Sequence, residues 1–227
     1  MILAAGRGER MRPLTDHCPK PLLPAGGKPL IVWHIERLRA AGITNLVINH
    51  AHLGPQLEAA LGNGGDLGVR IAWSREDVAL ETAGGIRQAL PLLGDAPFLV
   101  VNGDIFTDLD FAPLAQLPLG DDIAHLVLVT NPPHHPEGDF VLTRGRVAHQ
   151  GRPRLTFSGV GVYHPQLFSG LPSGEPIKLA PLLRTAMAAD RVGGQVHRGL
   201  WLDIGTPERL AELDARLRTP TSTSSLF

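Results

Sequence analysis

The sequence predicts an α/β fold in which helices cover both faces of a mostly parallel sheet. Two observations carry this prediction. Apolar runs of strand length alternate along the chain with segments of helical periodicity, and alternating βα units are typical of a parallel sheet between helix layers. The chain has 227 residues, of which 43% are hydrophobic and 19% charged, which is enough for one large core.

The elements follow from local patterns. Strands are predicted for apolar runs bounded by polar or turn residues, at 46–48, 69–73, 98–101 and 125–130. Helices are predicted where apolar residues recur at spacings of three and four, at 30–41, 56–61, 82–93, 179–189 and 207–217. Gly42 suits the end of the first helix, and Pro207 behind Thr206 is typical of a helix start.

The second half of the chain differs from the first. Residues 140–143, 146–149 and 155–163 have strand character but no helical segments between them. They predict a small antiparallel insert beside the main sheet, placed to cover a second substrate. The last residues, 219–227, are rich in Thr and Ser, and we expect a disordered tail there.

Composition excludes several classes of partner. The 21 basic and 22 acidic residues leave a net charge of -1, which argues against a nucleic-acid polymer as ligand. No apolar run reaches the length needed to cross a bilayer, so we expect no membrane association. The single cysteine, Cys18, allows no internal disulfide and fits the reducing cytoplasm.

The most informative segment is the loop at residues 3–24. It begins after the first apolar residues, and it carries Gly6 and Gly8 ahead of Arg10 and Lys20. Glycine lets backbone N–H groups approach a ligand closely, and Arg and Lys side chains suit phosphate oxygens. Five basic residues against two acidic ones between positions 7 and 28 concentrate positive charge at one phosphate-sized place.

Two well-known phosphate loops are excluded by single residues. The dinucleotide-binding loop G-x-G-x-x-G requires glycine where this chain has Met11. A Walker A loop requires Ser or Thr after Gly-Lys, but Gly27-Lys28 is followed by Pro29.

What remains resembles the signature of the sugar-nucleotidyltransferase family, G-x-G-x-R-x-x-P-x-T followed by P-K-P-L-L-P. Residues 6–15 match the first part and residues 19–24 the second. Two further matches follow in the family's order: Gly103-Asp104 after a strand, and W-x-D-x-G-T at 201–206. The resemblance implies a Rossmann-like nucleotide-diphospho-sugar transferase fold. It also implies one catalytic domain over 1–218, with a nucleotide half near 1–110 and a sugar half near 111–218.

The resemblance assigns chemistry to four side chains. Asp104 and Asp203 would bind Mg²⁺, although each could instead be a turn or helix-capping aspartate. Arg10 would hold the departing pyrophosphate, and Lys20 would act as a compact charge near the α-phosphate or the sugar phosphate. Because a sugar 1-phosphate attacks a nucleoside triphosphate directly, no side-chain nucleophile is needed.

Further contact residues are carried over from the family. The nucleotide contacts are Leu3, Ala5, Gly6, Gly8, Glu9, Glu76, Thr82, Ala83 and Gly84. The sugar contacts are Asn102, Glu137, Gly138, Ser158, Gly159 and Lys178. Glu76 aligns with a base-reading glutamine of some relatives, and a carboxylate there favours guanine, whose edge offers more N–H donors than uracil. Glu81 stands where the family's G-T-A-G segment has its first glycine.

Overall likeness nevertheless favours uridylyl transfer. The short core and the SGVGVYHP segment resemble the uridylyltransferases that act on N-acetylmuramate 1-phosphate in peptidoglycan recycling. The alternatives are mannose-1-phosphate guanylyltransferase, glucose-1-phosphate thymidylyl- or uridylyltransferase, and a cytidylyl- or molybdopterin-type enzyme. A non-catalytic sugar-nucleotide sensor is the alternative from another class. Only small-molecule partners are expected, and we expect a monomer.

Overall fold

The computed structural model describes residues 1–219. Its strands are β1 (Ile2–Leu3), β2 (Pro24–Ala25), β3 (Lys28–Pro29), β4 (Asn45–His50), β5 (Arg70–Arg75), β6 (Phe98–Asn102), β7 (Ile105–Thr107), β8 (Ala124–Val129), β9 (Val141–Thr143), β10 (Arg146–Ala148), β11 (Thr156–Tyr163), β12 (Val192–His197) and β13 (Trp201–Asp203). Its helices are α1 (Leu30–Ala40), α2 (Gly54–Leu61), α3 (Glu81–Leu93), α4 (Ala112–Ala115), α5 (Gln166–Ser169), α6 (Leu179–Ala188) and α7 (Pro207–Arg218). The tail predicted for 219–227 lies, from residue 220 onward, outside the described residues.

Nine strands form one sheet in the order β5-β4-β1-β6-β11-β8-β12-β10-β9. All of them except β10 and β11 run in the same direction, so the predicted mostly parallel sheet is confirmed. The short strand β1 lies between β4 and β6, where Ile2 is fully buried.

Alternating side chains of the strands contribute to two hydrophobic layers, one on each face of the sheet. Leu46 and Ile48 point to one face of the sheet, where α1, α2 and α4 pack, while Val47 points to the other. That second face is covered by α3, α5 and α6. This is the two-sided burial that a parallel sheet needs, because both of its faces are apolar. All five predicted helices are present, with ends that differ from the prediction by no more than two residues.

The predicted antiparallel insert is only partly correct. β9 and β10 form an antiparallel pair at one edge of the sheet, as expected. β11, however, lies inside the main sheet between β6 and β8. Its residues Val160 and Val162 are both buried, so this strand fills the core and does not cover it.

One central strand, β12, was not predicted from the sequence. It contains Gly193 and Gly194, which weaken any apolar pattern. The structure explains Gly194, because a Cβ there would lie 2.4 Å from Val147 of the neighbouring β10. The glycine that hides the strand in the sequence is therefore the residue that lets its neighbour pack.

A separate two-stranded sheet joins two distant parts of the chain. β7 pairs with β13 in antiparallel fashion, with Ile105 opposite Asp203. The backbone N–H of Ile204 continues this pairing by donating to the carbonyl of Asp104 at 2.9 Å. This small sheet brings together the two aspartates that were predicted as metal ligands, because Asp104 directly precedes β7 and Asp203 ends β13.

Candidate active site

A cavity of about 420 Å³ opens at the carboxyl ends of the central strands. The loop after β1, the end of β4 and the turn after β6 meet there, as expected for an open α/β sheet. Its lining is mainly backbone and small residues, with few charged groups: Leu3, Ala4, Ala5, Gly6, Gly8, Glu9, Arg10, Lys20, Pro21, Asn49, Ala79, Glu81, Thr82, Asn102, Gly103, Asp104 and Gly205. All the site residues predicted within the loop therefore reach the cavity.

The conformation of the loop after β1 is fixed by contacts within the protein. Gly8 has φ +70°, a left-handed conformation that glycine adopts without strain. Its carbonyl accepts a hydrogen bond of 2.9 Å from the Thr15 hydroxyl, and the fully buried Met11 anchors the following turn in a hydrophobic cluster. The turn residues thus fix the backbone that faces the cavity.

The five basic residues near the loop divide into two groups. Arg7 and Arg12 pair with the loop's own acids, Glu9 and Asp16, at 3.3 and 2.7 Å, and Lys28 pairs with a glutamate of α1. Arg10 and Lys20 line the cavity instead. Within residues 1–219, Arg10 has no ion-pair partner. The concentration of charge predicted from the sequence therefore reduces to two cations at the site.

Lys20 is bound to one of the predicted metal ligands. Its Nζ lies 2.9 Å from Oδ2 of Asp104, and its side chain is 8% exposed whereas that of Asp104 is 44% exposed. A cation and a carboxylate thus stand together at the cavity wall.

Asp203 is held by residues outside the loop. Its Oδ2 accepts from Nη1 of Arg209 at 2.6 Å and lies 3.3 Å from Nε2 of His134. Its Oδ1 points towards the cavity-lining Gly205, because a Cβ on that glycine would lie 2.9 Å from it. Asp203 does not itself line the cavity, but its free oxygen borders it.

The donor set at this place suits a hard divalent cation. Asp104 directly precedes β7 and Asp203 ends the paired strand β13, and carboxylate oxygens are the ligands that Mg²⁺ prefers. The described residues contain no cluster of three or more His, Cys, Asp or Glu side chains arranged for a metal. Two carboxylates fit Mg²⁺ nonetheless, because this ion usually takes its remaining ligands from water and substrate phosphates.

Glu76 is a correction to the sequence-based assignment. It is 6% exposed and absent from the cavity wall. Its Oε1 accepts from Asn49 Nδ2 at 2.6 Å and its Oε2 from the Leu80 N–H at 2.9 Å. Burial raises its pKa, which the two hydrogen bonds partly oppose. Both oxygens are engaged by the chain itself, so in this structure neither is available for the predicted contact with a base.

Glu76 supports the nucleotide loop through Asn49. The side-chain oxygen of Asn49 accepts a hydrogen bond of 2.9 Å from the backbone N–H of Ala4, where the loop begins. Gly85 makes room for this chain of contacts, since a Cβ there would lie 2.7 Å from Glu76 Oε1 and 2.8 Å from Asn49 Nδ2.

The start of α3 also borders the cavity. Glu81 and Thr82 line it, whereas Ala83 and Gly84 are buried behind them. The backbone N–H groups of both buried residues donate to the carbonyl of Ile177, so these two N–H groups are engaged by the chain itself. Glu81 has φ +59°, a left-handed conformation that glycine adopts without strain.

A second cavity of about 280 Å³ adjoins the first and shares Glu81, Thr82 and Asn102 with it. Lys178 at the start of α6 lines it. The segment before Lys178 is tied to α3, because the Ile177 N–H donates to the Leu80 carbonyl at 2.9 Å. The predicted residues Asn102 and Lys178 thus lie together beside the nucleotide-side cavity.

Four predicted sugar contacts do not line either cavity. Ser158 is buried, with its hydroxyl donating to Val127 O and accepting from Val160 N, so it belongs to the bulge of β11. Gly159 lies against Asn102: a Cβ on this glycine would lie 2.7 Å from Asn102 Nδ2, so its absence gives that side chain space.

The other two lie in the loop that follows β8. Glu137 is largely exposed and pairs with Arg152 at 3.2 Å. Gly138 has φ +61° and packs against Asn131 and the Arg154 backbone, so glycine is needed there for the turn.

Several cavity residues were not predicted from the sequence. Asn49 and Gly205 line the first cavity, and Phe157 lines the second. Gly205 could have been found, because it belongs to the W-x-D-x-G-T motif. Asn49 is a polar residue at the end of an otherwise apolar predicted strand, which is a recognisable position for a ligand-facing side chain.

Comparison with known proteins agrees with the fold. A family profile described as nucleotidyl transferase matches residues 1–143. A protein of Neisseria meningitidis serogroup B named N-acetylmuramate alpha-1-phosphate uridylyltransferase is 60% identical, over 95% of this chain and 96% of its own length. A protein of the same name from Caulobacter vibrioides is 36% identical over 96% of both chains.

A solved structure from Bacillus anthracis, described as a glucose-1-phosphate thymidylyltransferase, superposes with a TM-score of 0.84, covering 99% of this chain and 97% of that one at 22% identity. The chain belongs to the nucleotidyl transferase family. It is a nucleotidyltransferase with the nucleotide-diphospho-sugar transferase fold. Among residues 1–219, no helix has the length and apolar character needed to cross a membrane.

Proposed function

We propose that this enzyme transfers a uridylyl group from UTP to N-acetylmuramate 1-phosphate, with Mg²⁺, and releases UDP-N-acetylmuramate and pyrophosphate. The observation that carries the proposal is the 60% identity, along nearly the full length of both chains, with the Neisseria protein of that name. The two adjoining cavities support it. The first is lined by the glycine-rich loop after β1 and would hold the nucleotide, and the second offers room for a sugar.

The reaction is an in-line displacement at phosphorus. A phosphate oxygen of the sugar 1-phosphate forms a bond to the α-phosphorus of UTP, and the bond from that phosphorus to the bridging oxygen of pyrophosphate breaks. Attacking and leaving groups are both anionic, so the protein's task is to position them and offset their charge. Mg²⁺ held by Asp104 and Asp203 would supply further positive charge between the phosphates.

The chain's own cations take the remaining roles. Arg10, in the loop after β1, would bind the leaving pyrophosphate through the N–H donors of its guanidinium group. Lys20, whose Nζ lies 2.9 Å from Asp104 Oδ2, would hold a phosphate oxygen near the point of attack. The nucleotide would be contacted by the predicted residues that line the first cavity, which are Leu3, Ala5, Gly6, Gly8, Glu9 and Thr82.

The second cavity supports an acidic sugar. N-acetylmuramate differs from N-acetylglucosamine by a lactyl ether that ends in a carboxylate. Lys178 lines this cavity together with Asn102, and its ammonium would pair with that carboxylate. Asp139 also lines it, but its Oδ2 already accepts from Phe157 N at 2.8 Å, and its Oδ1 lies 3.2 Å from His135.

The argument for guanine as the base does not hold in this site. It depended on the Glu76 carboxylate reading the base, and that carboxylate is bound to Asn49 and Leu80 beneath the cavity. Uridylyl transfer is therefore favoured over guanylyl transfer.

The proposal also covers the organisation of the chain. Residues 1–218 form a single catalytic domain, whose nucleotide half and sugar half meet near residue 110. It works as a monomer in the cytoplasm during peptidoglycan recycling.

The test is a screen for pyrophosphate release by the purified chain with Mg²⁺. It crosses UTP, GTP, dTTP, CTP and ATP with the 1-phosphates of N-acetylmuramate, N-acetylglucosamine, glucose and mannose. We expect release with UTP and N-acetylmuramate 1-phosphate. Release with a different pair only would reject these substrates, and a folded chain that releases none would favour a non-catalytic sensor.

Lys178→Met tests the sugar assignment within that screen. We expect the KM for N-acetylmuramate 1-phosphate to rise at least about 10-fold, because a charge-assisted contact is lost. Any turnover of the N-acetylglucosamine analogue, which lacks the carboxylate, should change little. The matched control is Arg184→Met, which changes an exposed cation of α6, the helix that follows Lys178; Arg184 lines neither cavity.

A further inference from the structure

Gly205 lies where three charged side chains converge. A Cβ placed on this residue would lie 2.9 Å from Asp203 Oδ1, 3.0 Å from Arg10 Nη2 and 3.0 Å from Arg209 Nη2. Because Gly205 also lines the first cavity, the space beside its Cα is open to a ligand. Two guanidinium groups, one from the loop after β1 and one from α7, therefore face the same small space.

Arg209 has two ends with different partners. Its Nη1 donates to Asp203 Oδ2 at 2.6 Å and lies 2.9 Å from Nε2 of His134. Its Nη2, the atom beside Gly205, has no hydrogen-bond partner within the part of the chain that the structure describes. The side chain is 18% exposed, so contacts with the protein already hold the guanidinium in this orientation.

The backbone around Arg209 adds to the positive character of this place. Arg209 lies in the first turn of α7, a helix of 12 residues, shortly after Gly205 and Thr206. Thr206 caps the helix by accepting from the Arg209 N–H at 3.4 Å. The N-terminal end of a helix carries partial positive charge and favours anions, and here it comes in addition to the two arginines.

We propose that Arg209 is a second phosphate-binding arginine, which holds the departing pyrophosphate together with Arg10 in the space beside Gly205. This inference rests on the proposed function and deepens it. The division of labour follows from the geometry: Nη1 keeps Asp203 in place, and Nη2 is left to donate to a phosphate oxygen. Lysine could not do both, because it offers one compact charge and no planar fork.

Gly205 is the residue that keeps this space free. Its φ lies outside the left-handed region, so the backbone itself would accept alanine. The added methyl group, however, would lie 2.9 Å from Asp203 Oδ1 and 3.0 Å from both guanidinium groups, so the carboxylate must shift and the two guanidinium groups must move slightly apart. Gly205→Ala thus fills the proposed phosphate position without removing a charge.

The experiment measures binding of inorganic pyrophosphate to the full chain by calorimetry, without a divalent metal so that metal binding does not enter. We expect Arg209→Gln to weaken binding at least about 10-fold, as for loss of a charge-assisted contact. Arg216→Gln is the matched control, because Arg216 lies on the same helix but pairs with Glu212 at 2.8 Å in an exposed position. It should bind as tightly as the unmodified chain.

Asp203→Asn separates the proposed role from a purely positioning one. If Arg209 acts only by holding Asp203, then Arg209→Gln leaves metal-free pyrophosphate binding unchanged, and the inference is overturned. If Arg209 binds phosphate, Arg209→Gln weakens binding while Asp203→Asn leaves it equal or tighter, since a nearby negative charge is removed. Gly205→Ala, which retains all the charges, should weaken binding with little change in Tm and covers the case in which Arg209→Gln does not fold.

Failure of this inference differs from failure of the proposed function. An unmodified chain that binds no pyrophosphate would overturn the inference, whether or not it turns over UTP. A chain that binds pyrophosphate in an Arg209-dependent way but shows no transfer activity would retain the inference and reject the proposed reaction.

Discussion

The ammonium group of Lys20 lies 2.9 Å from Oδ2 of Asp104, but the two partners are unequally buried, with side-chain exposures of 8% and 44%. Removing either one therefore has a different consequence. Without Lys20, the carboxylate can still be hydrated from the cavity. Without Asp104, a buried ammonium loses its only ion-pair partner within residues 1–219.

Lys20→Met should separate activity from stability. We expect kcat for pyrophosphate release to fall at least about 100-fold, because one preorganised cation is lost from the phosphate site. Tm should change little, since methionine fills the same space. Asp104→Ala should lower both the activity and the free energy of unfolding, the latter by about 1–3 kcal/mol for the unpaired buried group. A Lys20→Met enzyme with normal kcat would reject the role of Lys20.

Glu76→Ala should destabilise the fold although Glu76 touches no ligand. The change leaves two buried donors, Asn49 Nδ2 and the Leu80 N–H, without their acceptor. At about 1–3 kcal/mol for each of the two unsatisfied groups, we expect the free energy of unfolding to fall by about 2–6 kcal/mol. Urea denaturation measures this. Asp77→Ala is the control, because that neighbouring carboxylate is exposed and should cost less than about 0.5 kcal/mol. Equal stabilities of the two variants would contradict the buried network.

Gly85→Ala should be harmful although alanine is the better helix former. A glycine in a helix interior normally costs about 1 kcal/mol relative to alanine. Here the added Cβ would lie 2.7 Å from Glu76 Oε1, so the contact to Asn49 must shift. We expect a lower Tm and a higher KM for the nucleotide, because Asn49 also holds the Ala4 N–H. Gly170→Ala is the control: its φ is -83°, and a Cβ added there would meet open space out to 4 Å. A Gly85→Ala chain as stable as the Gly170→Ala chain would refute the steric argument.

His34 should make the protein sensitive to mild acid. Burial lowers its pKa from 6.5 to about 4, and its Nε2 donates to the carbonyl of Ile105 at 2.8 Å. Between these two values the unfolded chain binds a proton that the folded chain does not, so stability is full above pH 6.5 and declines as the pH falls towards 4. The loss from this group amounts to about 3 kcal/mol.

Unfolding free energies measured from about pH 7 to about pH 4 test this. His34→Leu should be less stable at neutral pH, because the Ile105 carbonyl loses its donor, but its stability should decline less steeply with acid. His17→Leu, which changes an exposed histidine, should follow the unmodified protein. Parallel curves for the unmodified and His34→Leu proteins would contradict the assignment.

The parts of the site that are contiguous in sequence were predictable. The loop at residues 3–24 and the two aspartate motifs each carry their chemistry within a few residues, so Arg10, Lys20, Asp104 and Asp203 could be named from the sequence. Their meeting could not be derived from spacing alone, because it depends on β7 pairing with β13.

Residues whose role depends on distant partners were assigned less well. Glu76 and Ser158 have polar side chains that suggest ligand contacts, but the partners that engage them, Asn49 and Val127, are known only once the strands are arranged. Arg209 shows the opposite case. In the sequence it is one charged residue in an amphipathic helix. Only the fold brings its Nη2 beside Gly205, at 3.0 Å from the position that a Cβ on that glycine would take.

The pairing of β7 with β13 has a consequence for synthesis of the protein. The phosphate loop comes early in the chain and Asp104 near its middle, but Asp203, Gly205 and Arg209 come some hundred residues later. A nascent chain released before residue 209 would carry a nucleotide loop without the second arginine, and an earlier release would also omit the second carboxylate. The full set of residues proposed for the reaction is therefore present only once residue 209 has been added, and a chain cut short before that point would lack part of the proposed phosphate site.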